Sequence, residues 1–246
     1  MKKTFVASAT SSASQMGFWV AMLTSLCSVS ALAIAATTAP ARSGPFCMVD
    51  SCITYPYTDV AAFVPIDYIW MYAAFLMMPA FVVLMACIHY YASADKKIFS
   101  LIALCFATIA TSTLATNYFI QLAVVQPSLL KGEVERLSLL SQYNPHGVFI
   151  ALEDIGYLMV GIALLFAATV FDRPQRLERA IRFLFVTSGV LAVGSLVVLS
   201  FLYRSDLEYR YEVAVILIDW IALIVSGILL SLFFKQDGQN LKEETT

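Results

Sequence analysis

The chain has 246 residues, of which 60% are hydrophobic and 13% charged, and it carries a net charge of −2. Its mean hydropathy is +0.80, whereas a soluble domain carries roughly 25% charged residues, so the composition excludes an ordinary water-soluble fold. It predicts an all-α, polytopic membrane protein forming one integral domain over residues 1–246, with six spans and both termini cytoplasmic. No basic tract points to nucleic acid, which leaves the lipid bilayer as the first partner.

Met1-Lys2-Lys3 opens a basic N-terminus, and Gly17 to Ala36 is an apolar run of 20 residues. Two readings stay open for this run. A retained first helix at about 17–36 fits its length, while Ala33-Ile34-Ala35 resembles the small-residue cleavage site of a signal peptide. Both put the next loop, Thr37 to Val64, outside. Cys47 and Cys52 in that loop have four residues between them, a spacing that suits a short structural disulfide around Met48-Val49-Asp50-Ser51 rather than a redox motif. Cys27, Cys87 and Cys105 fall in predicted spans and read as small apolar residues.

The second span is expected at about 66–91, with Pro65 in its first turn and Pro79 kinking it at mid-span. Tyr68, Trp70 and Tyr72 would form an outer aromatic belt, and His89, Tyr90 and Tyr91 an inner one. The short basic connection Ser93 to Lys97 leads to a third span at about 98–125. There Thr113, Asn117 and Gln121 recur every four residues and share one face, a polar stripe that needs helix partners in lipid. Pro127 is expected to end this span. Residues 128–142 then read as an outer amphipathic helix, with Leu130, Val134 and Leu137 on one side.

The fourth span, at about 146–171, is expected to open with Asn144 as its N-cap and Pro145 at the first helical position. An inner loop at 172–182 carries four arginines. The fifth span, about 183–203, holds Gly189 and Gly194, residues that permit close helix approach. The sixth, about 211–234, precedes a polar tail with Lys235, Lys242, Glu243 and Glu244. With this topology ten basic residues lie inside and five outside, which is the asymmetry that orients membrane proteins.

Intramembrane acids are the sharpest candidates for chemistry. Asp219 sits between two six-residue apolar runs, and a charge there costs at least ~2.5 kcal/mol on insertion scales, so it should face the bundle interior or a wet cavity. Glu212, Asp219 and Ser226 recur every seven residues close to one face. Glu153 and Asp154 are helix neighbours about 100° apart. They split between a stripe of His146, Ile150, Glu153 and Tyr157 and another of Asp154, Leu158 and Gly161. Glu212 and Asp67 also have a plain role, since a carboxylate in a first helical turn complements the helix dipole. The outer half holds eleven acids against five bases, which favours protons, metal ions or amines over anions.

The expected function is therefore binding of a cation, proton or small amine in an outward-facing acidic cavity, for transport or sensing. Glu153, Asp154 and Asp219 would be its anionic ligands, with Asn117, Gln121, His146 and Tyr157 as hydrogen-bonding supports. Two other classes stay open: a structural or assembly subunit whose acids only tie helices together, and an outer-leaflet hydrolase using the acids for metal or acid/base chemistry. The chain has two histidines, on opposite sides, so a bis-histidine haem stack is excluded. No lysine lies in a span for a retinal Schiff base. There is no H-E-x-x-H or P-loop signature and no Gly-x-Ser-x-Gly stretch. Glu153-Asp154-Ile155 and Ile218-Asp219-Trp220 lack the YD and GxGD contexts of intramembrane aspartyl proteases. No cofactor is specified. The segment Asn144-Pro145-His146-Gly147 through Tyr157 resembles one in uncharacterised prokaryotic multi-pass membrane proteins of similar size. That likeness covers the fourth span and its approach; it implies a prokaryotic plasma membrane and no particular activity.

Overall fold

The computed structural model describes residues 2–47, 49–50 and 52–243, so expectations for Met1, Met48, Ser51 and Glu244 fall outside the described residues. The helices are α1 (Lys2–Thr38), α2 (Trp70–Tyr91), α3 (Lys97–Ile120), a short α4 (Gln126–Leu130), α5 (Val148–Ala167), α6 (Arg176–Tyr203) and α7 (Glu208–Glu243). Six helical stretches among the described residues are long and apolar enough to cross a membrane: Ser12–Thr38, Ile66–Tyr91, Ala94–Leu130, Val148–Val170, Arg176–Asp206 and Tyr209–Gln239. Among the described residues the fold is an all-helical bundle, compatible with a multi-pass membrane protein.

These spans close into a ring. Each packs on the next, and α7 returns to α1, while α5 also reaches across to α7. The α6 span lies at the periphery and turns Phe183, Val190, Val197 and Phe201 outward, where an apolar surface suits lipid. Ser14 of α1 donates to Asp237 of α7 at 2.5 Å, so the two terminal segments meet at one end of the bundle. We call this the terminal end and the opposite one, which bears the Cys47–Cys52 disulfide, the disulfide end.

Small residues set the closest approaches. A Cβ on Gly227 would stand 2.6 Å from the Ala21 carbonyl oxygen and from Ser25 Cβ, and Ser25 donates to the Ile224 carbonyl at 3.0 Å. Between α5 and α6, a Cβ on Gly189 would meet the Gly161 carbonyl oxygen at 2.6 Å. Gly194 faces open space, so only one of the two glycines expected to admit a neighbouring helix does so.

Several boundaries differ from the sequence expectation. Pro127 does not end the third span. A π-helical turn at Gln121–Val125 precedes it and α4 carries the helix on to Leu130; such a turn shifts the hydrogen-bond register, which lets the helix absorb the missing proline N–H. The helix ends instead at Gly132, whose φ of +74° is open to glycine. There the Glu133 and Gly132 amides return to the Ser128 and Leu129 carbonyls, a Schellman closure. The expected amphipathic helix over 128–142 is consequently absent: beyond Gly132 the chain forms turns and a 3-10 segment, Leu137–Leu139.

Asn144 is not the cap of the fourth span. Its side chain accepts from the His146 amide at 3.0 Å and its carbonyl from the Gly147 amide, a local turn, and α5 begins at Val148 with Gly147 as N-cap. The arginine-rich segment is largely helical, since α6 starts at Arg176 and not near Phe183. The α7 helix likewise runs through the expected polar tail to Glu243. At the short connection, Lys97 Nζ donates to the His89 carbonyl at 2.5 Å and the Tyr90 carbonyl at 3.0 Å, satisfying the open carbonyls at the end of α2.

The contrast between two glycines provides a test of the packing. Gly189→Leu forces α5 and α6 apart and is expected to cost about 1–3 kcal/mol, the usual range for overpacking. It should lower the thermal unfolding midpoint in detergent, while Gly194→Leu, pointing into open space, should leave the midpoint unchanged.

Candidate functional site

Glu153 is buried on the inward face of α5 together with Ile150 and Tyr157. Three helices converge on it. Tyr118 of α3 donates to Glu153 Oε1 at 2.8 Å, and the Tyr118 and Tyr157 hydroxyls lie 2.7 Å apart. Trp220 Nε1 of α7 donates to the Tyr157 hydroxyl at 2.7 Å. Each hydroxyl has a single proton. With Tyr118 donating to Glu153, Tyr157 must donate to Tyr118, so the chain runs in one direction from Trp220 to the carboxyl. Indole and phenol rings fill the space around it: Trp70 stands 5.5 Å from Tyr118 and 5.8 Å from Trp220, ring centre to ring centre.

Glu212 of α7 supplies a second carboxyl. It lies against Glu153, within hydrogen-bonding range when a proton sits between them. Among the described residues no donor reaches Glu153 Oε2. Two carboxylates this close repel unless a proton or another cation is shared between them.

Both acids line a cavity of about 520 Å³ at the disulfide end. Trp70, Phe149, Trp220 and Tyr209 contribute aromatic walls, and Leu32, Ala36, Val213 and Leu217 of α1 and α7 line another side. The chain between Ala39 and Ser43 and the segment Gln142–Tyr143 lie along the same cavity.

A compact latch fixes that border. Arg42 makes a two-point ion pair with Asp67, Nε to Oδ2 at 2.6 Å and Nη2 to Oδ1 at 3.1 Å. Tyr143 also donates to Asp67, and Ser43 donates to the Tyr143 carbonyl at 2.5 Å. The Arg42 guanidinium lies over Phe63, 3.5 Å from the ring centre. The hydrogen bond to Asp67 holds the guanidinium above its ordinary range; Arg42 is the one basic side chain along the cavity among the described residues, and it is committed to Asp67. Burial, reinforced by Asp67, pushes the Tyr143 hydroxyl well above the usual tyrosine range.

The residues expected to share one site are separated. Glu153 lines the cavity, and Tyr157 stands behind it, joined to it through Tyr118. Asp154 is half-buried on the neighbouring face. Asp219 is fully buried but away from the cavity lining; no hydrogen-bond partner among the described residues reaches either oxygen, and Oδ1 lies beside Gly161. Asn117 donates to the Phe149 carbonyl at 3.0 Å and Gln121 to the Leu140 carbonyl at 2.7 Å, so both tie α3 to the α5 region. His146 is exposed. Sequence reasoning set aside Glu212 and Asp67 as helix-dipole residues and passed over Tyr118, Trp220 and Arg42.

Comparison with known protein families, curated proteins and solved structures finds no match for this chain.

Two measurements probe these contacts. Arg42→Met leaves Asp67 buried and is expected to cost about 3 kcal/mol, the order seen when one partner of a buried pair is removed; Asp67→Asn in that background should recover part of it, as read by thermal unfolding. The alkaline limb tests Tyr143. Its folded-state pKa is raised, so its contribution is complete below about pH 10, where unfolded tyrosine ionises, and is lost as the pH climbs further. Tyr143→Phe should flatten part of that alkaline loss.

Proposed function

We propose that this chain is a plasma-membrane protein that binds a cation or protonatable small molecule in the acidic cavity, for transport or for sensing. One observation carries the reading: Glu153 and Glu212 are adjacent carboxyls on a cavity whose one basic side chain among the described residues is spent on Asp67. Removing such acids from water is costly unless positive charge accompanies them, which makes a cation the natural occupant. The distribution of basic residues supports the orientation. Ten lie toward the terminal end and five toward the disulfide end, an asymmetry that supports cytoplasmic termini and an outward-facing cavity.

A structural role is the second reading, favoured by Asn117 and Gln121, which spend their amides on helix ties. The experiment that separates the two is thermal stability in detergent, scanned over pH and a set of simple cations. Wild type, Glu153→Gln and Glu212→Gln are compared. Cation binding is expected to stabilise the wild type by about 2.7 kcal/mol at a hundredfold excess over Kd. Both variants should stay folded and lose the response. A flat wild-type profile, or variants that respond as wild type does, would give the structural reading precedence.

A further inference from the structure

The cavity is built differently on its two sides. Its floor holds the two acids under Trp70, Phe149 and Trp220. Its α1–α7 side is lined by Ala36, Val213 and Leu217, all apolar and all exposed at the bundle surface. In the terminal half, α1 and α7 are in tight contact at Gly17, Ala21, Ser25 and Gly227. In the disulfide half the cavity stands between them. Leu217 lies eight residues beyond Tyr209, about 12 Å along the helix at 1.5 Å per residue, so the opening reaches from the membrane edge into the hydrocarbon region.

From this arrangement, and resting on the reading of the cavity as a cation site, we propose that the ligand is an amphiphilic amine, an alkylammonium head on an apolar chain, that enters sideways between α1 and α7. The head meets the Glu153–Glu212 pair, where one positive charge relieves the repulsion between neighbouring carboxylates. The indole faces of Trp70 and Trp220 suit an organic ammonium. The chain lies along Ala36, Val213 and Leu217. A bare metal ion is the poorer fit: among the described residues no three His, Cys, Asp or Glu side chains converge, and most of the lining is apolar. The same ammonium chemistry is carried by a free long-chain amine and by an aminophospholipid of the bilayer.

The test adds n-octylammonium, n-octanol, sodium or calcium to the purified full-length protein and measures thermal stability. Wild type is compared with Glu153→Gln, Glu212→Gln and Ala36→Trp, the last filling the opening without touching the acids. Stabilisation by octylammonium at least several-fold greater than by octanol, lost in all three variants, is the expected result. Stabilisation by sodium or calcium that depends on both acids, with none from octylammonium, overturns this inference and leaves the cation reading standing. Equal responses to amine and alcohol that ignore the acid variants also overturn it. No acid-dependent response to any cation removes both. In nanodiscs, stabilisation by phosphatidylethanolamine over phosphatidylcholine that Ala36→Trp abolishes assigns the ammonium to a bilayer lipid; octylammonium stabilisation without that lipid preference assigns it to a free amine.

Discussion

The hydroxyl of Tyr157 is the point on which the bundle interior depends. It takes a hydrogen from Trp220 and shares one with Tyr118, joining α7, α5 and α3 through a single oxygen. In an apolar interior a polar group without partners is costly, so each of these side chains holds the next in place. The chain terminates on Glu153, and a carboxyl set at the wall of a cavity is the consequence. The position of the acid therefore follows from aromatic residues on two other helices as much as from α5 itself.

This dependence explains how much of the molecule was legible in the sequence. The six apolar stretches and the Cys47–Cys52 pairing were readable because they rest on local composition and spacing. Boundaries were harder. Pro127 signals an end to a helix, yet a π turn upstream accommodates it, and no local pattern announces that turn. The arginines at 176, 179 and 182 resemble a loop by charge, but they lie on the first turns of α6, where their long side chains extend into water while the backbone stays helical.

The site was half legible. Glu153 and Tyr157 follow from a helical stripe, since both are on one chain segment. Glu212 was discounted because an acid early in a helix has an ordinary electrostatic role, and only the fold brings it to Glu153. Asp219, the most conspicuous acid in the sequence, stands instead beside the Gly161 crossing. Asn117 and Gln121 satisfy backbone carbonyls, an outcome that sequence cannot separate from ligand binding because the same amide serves either. Asp67 shows the opposite case. Its partner Arg42 lies 25 positions earlier, in a loop, and no periodicity links the two.

The closure of the ring between α1 and α7 bears on the order of synthesis. The first helix made must wait for the last before its interface is complete, because the α1 face with Gly17, Ala21 and Ser25 packs on α7. During that interval the Ser25 hydroxyl waits for the Ile224 carbonyl, while others are already satisfied. Thr24 and Ser28 bond to the Val20 and Thr24 carbonyls of their own helix, so α1 can rest in lipid with few unmet donors. Ser28 also reaches Met77 of α2, giving the newborn helix a first neighbour early. The border of the cavity is the part that has to wait: Ser43 needs Tyr143 and Glu153 needs Glu212, so the pocket comes into being only when the final helix arrives.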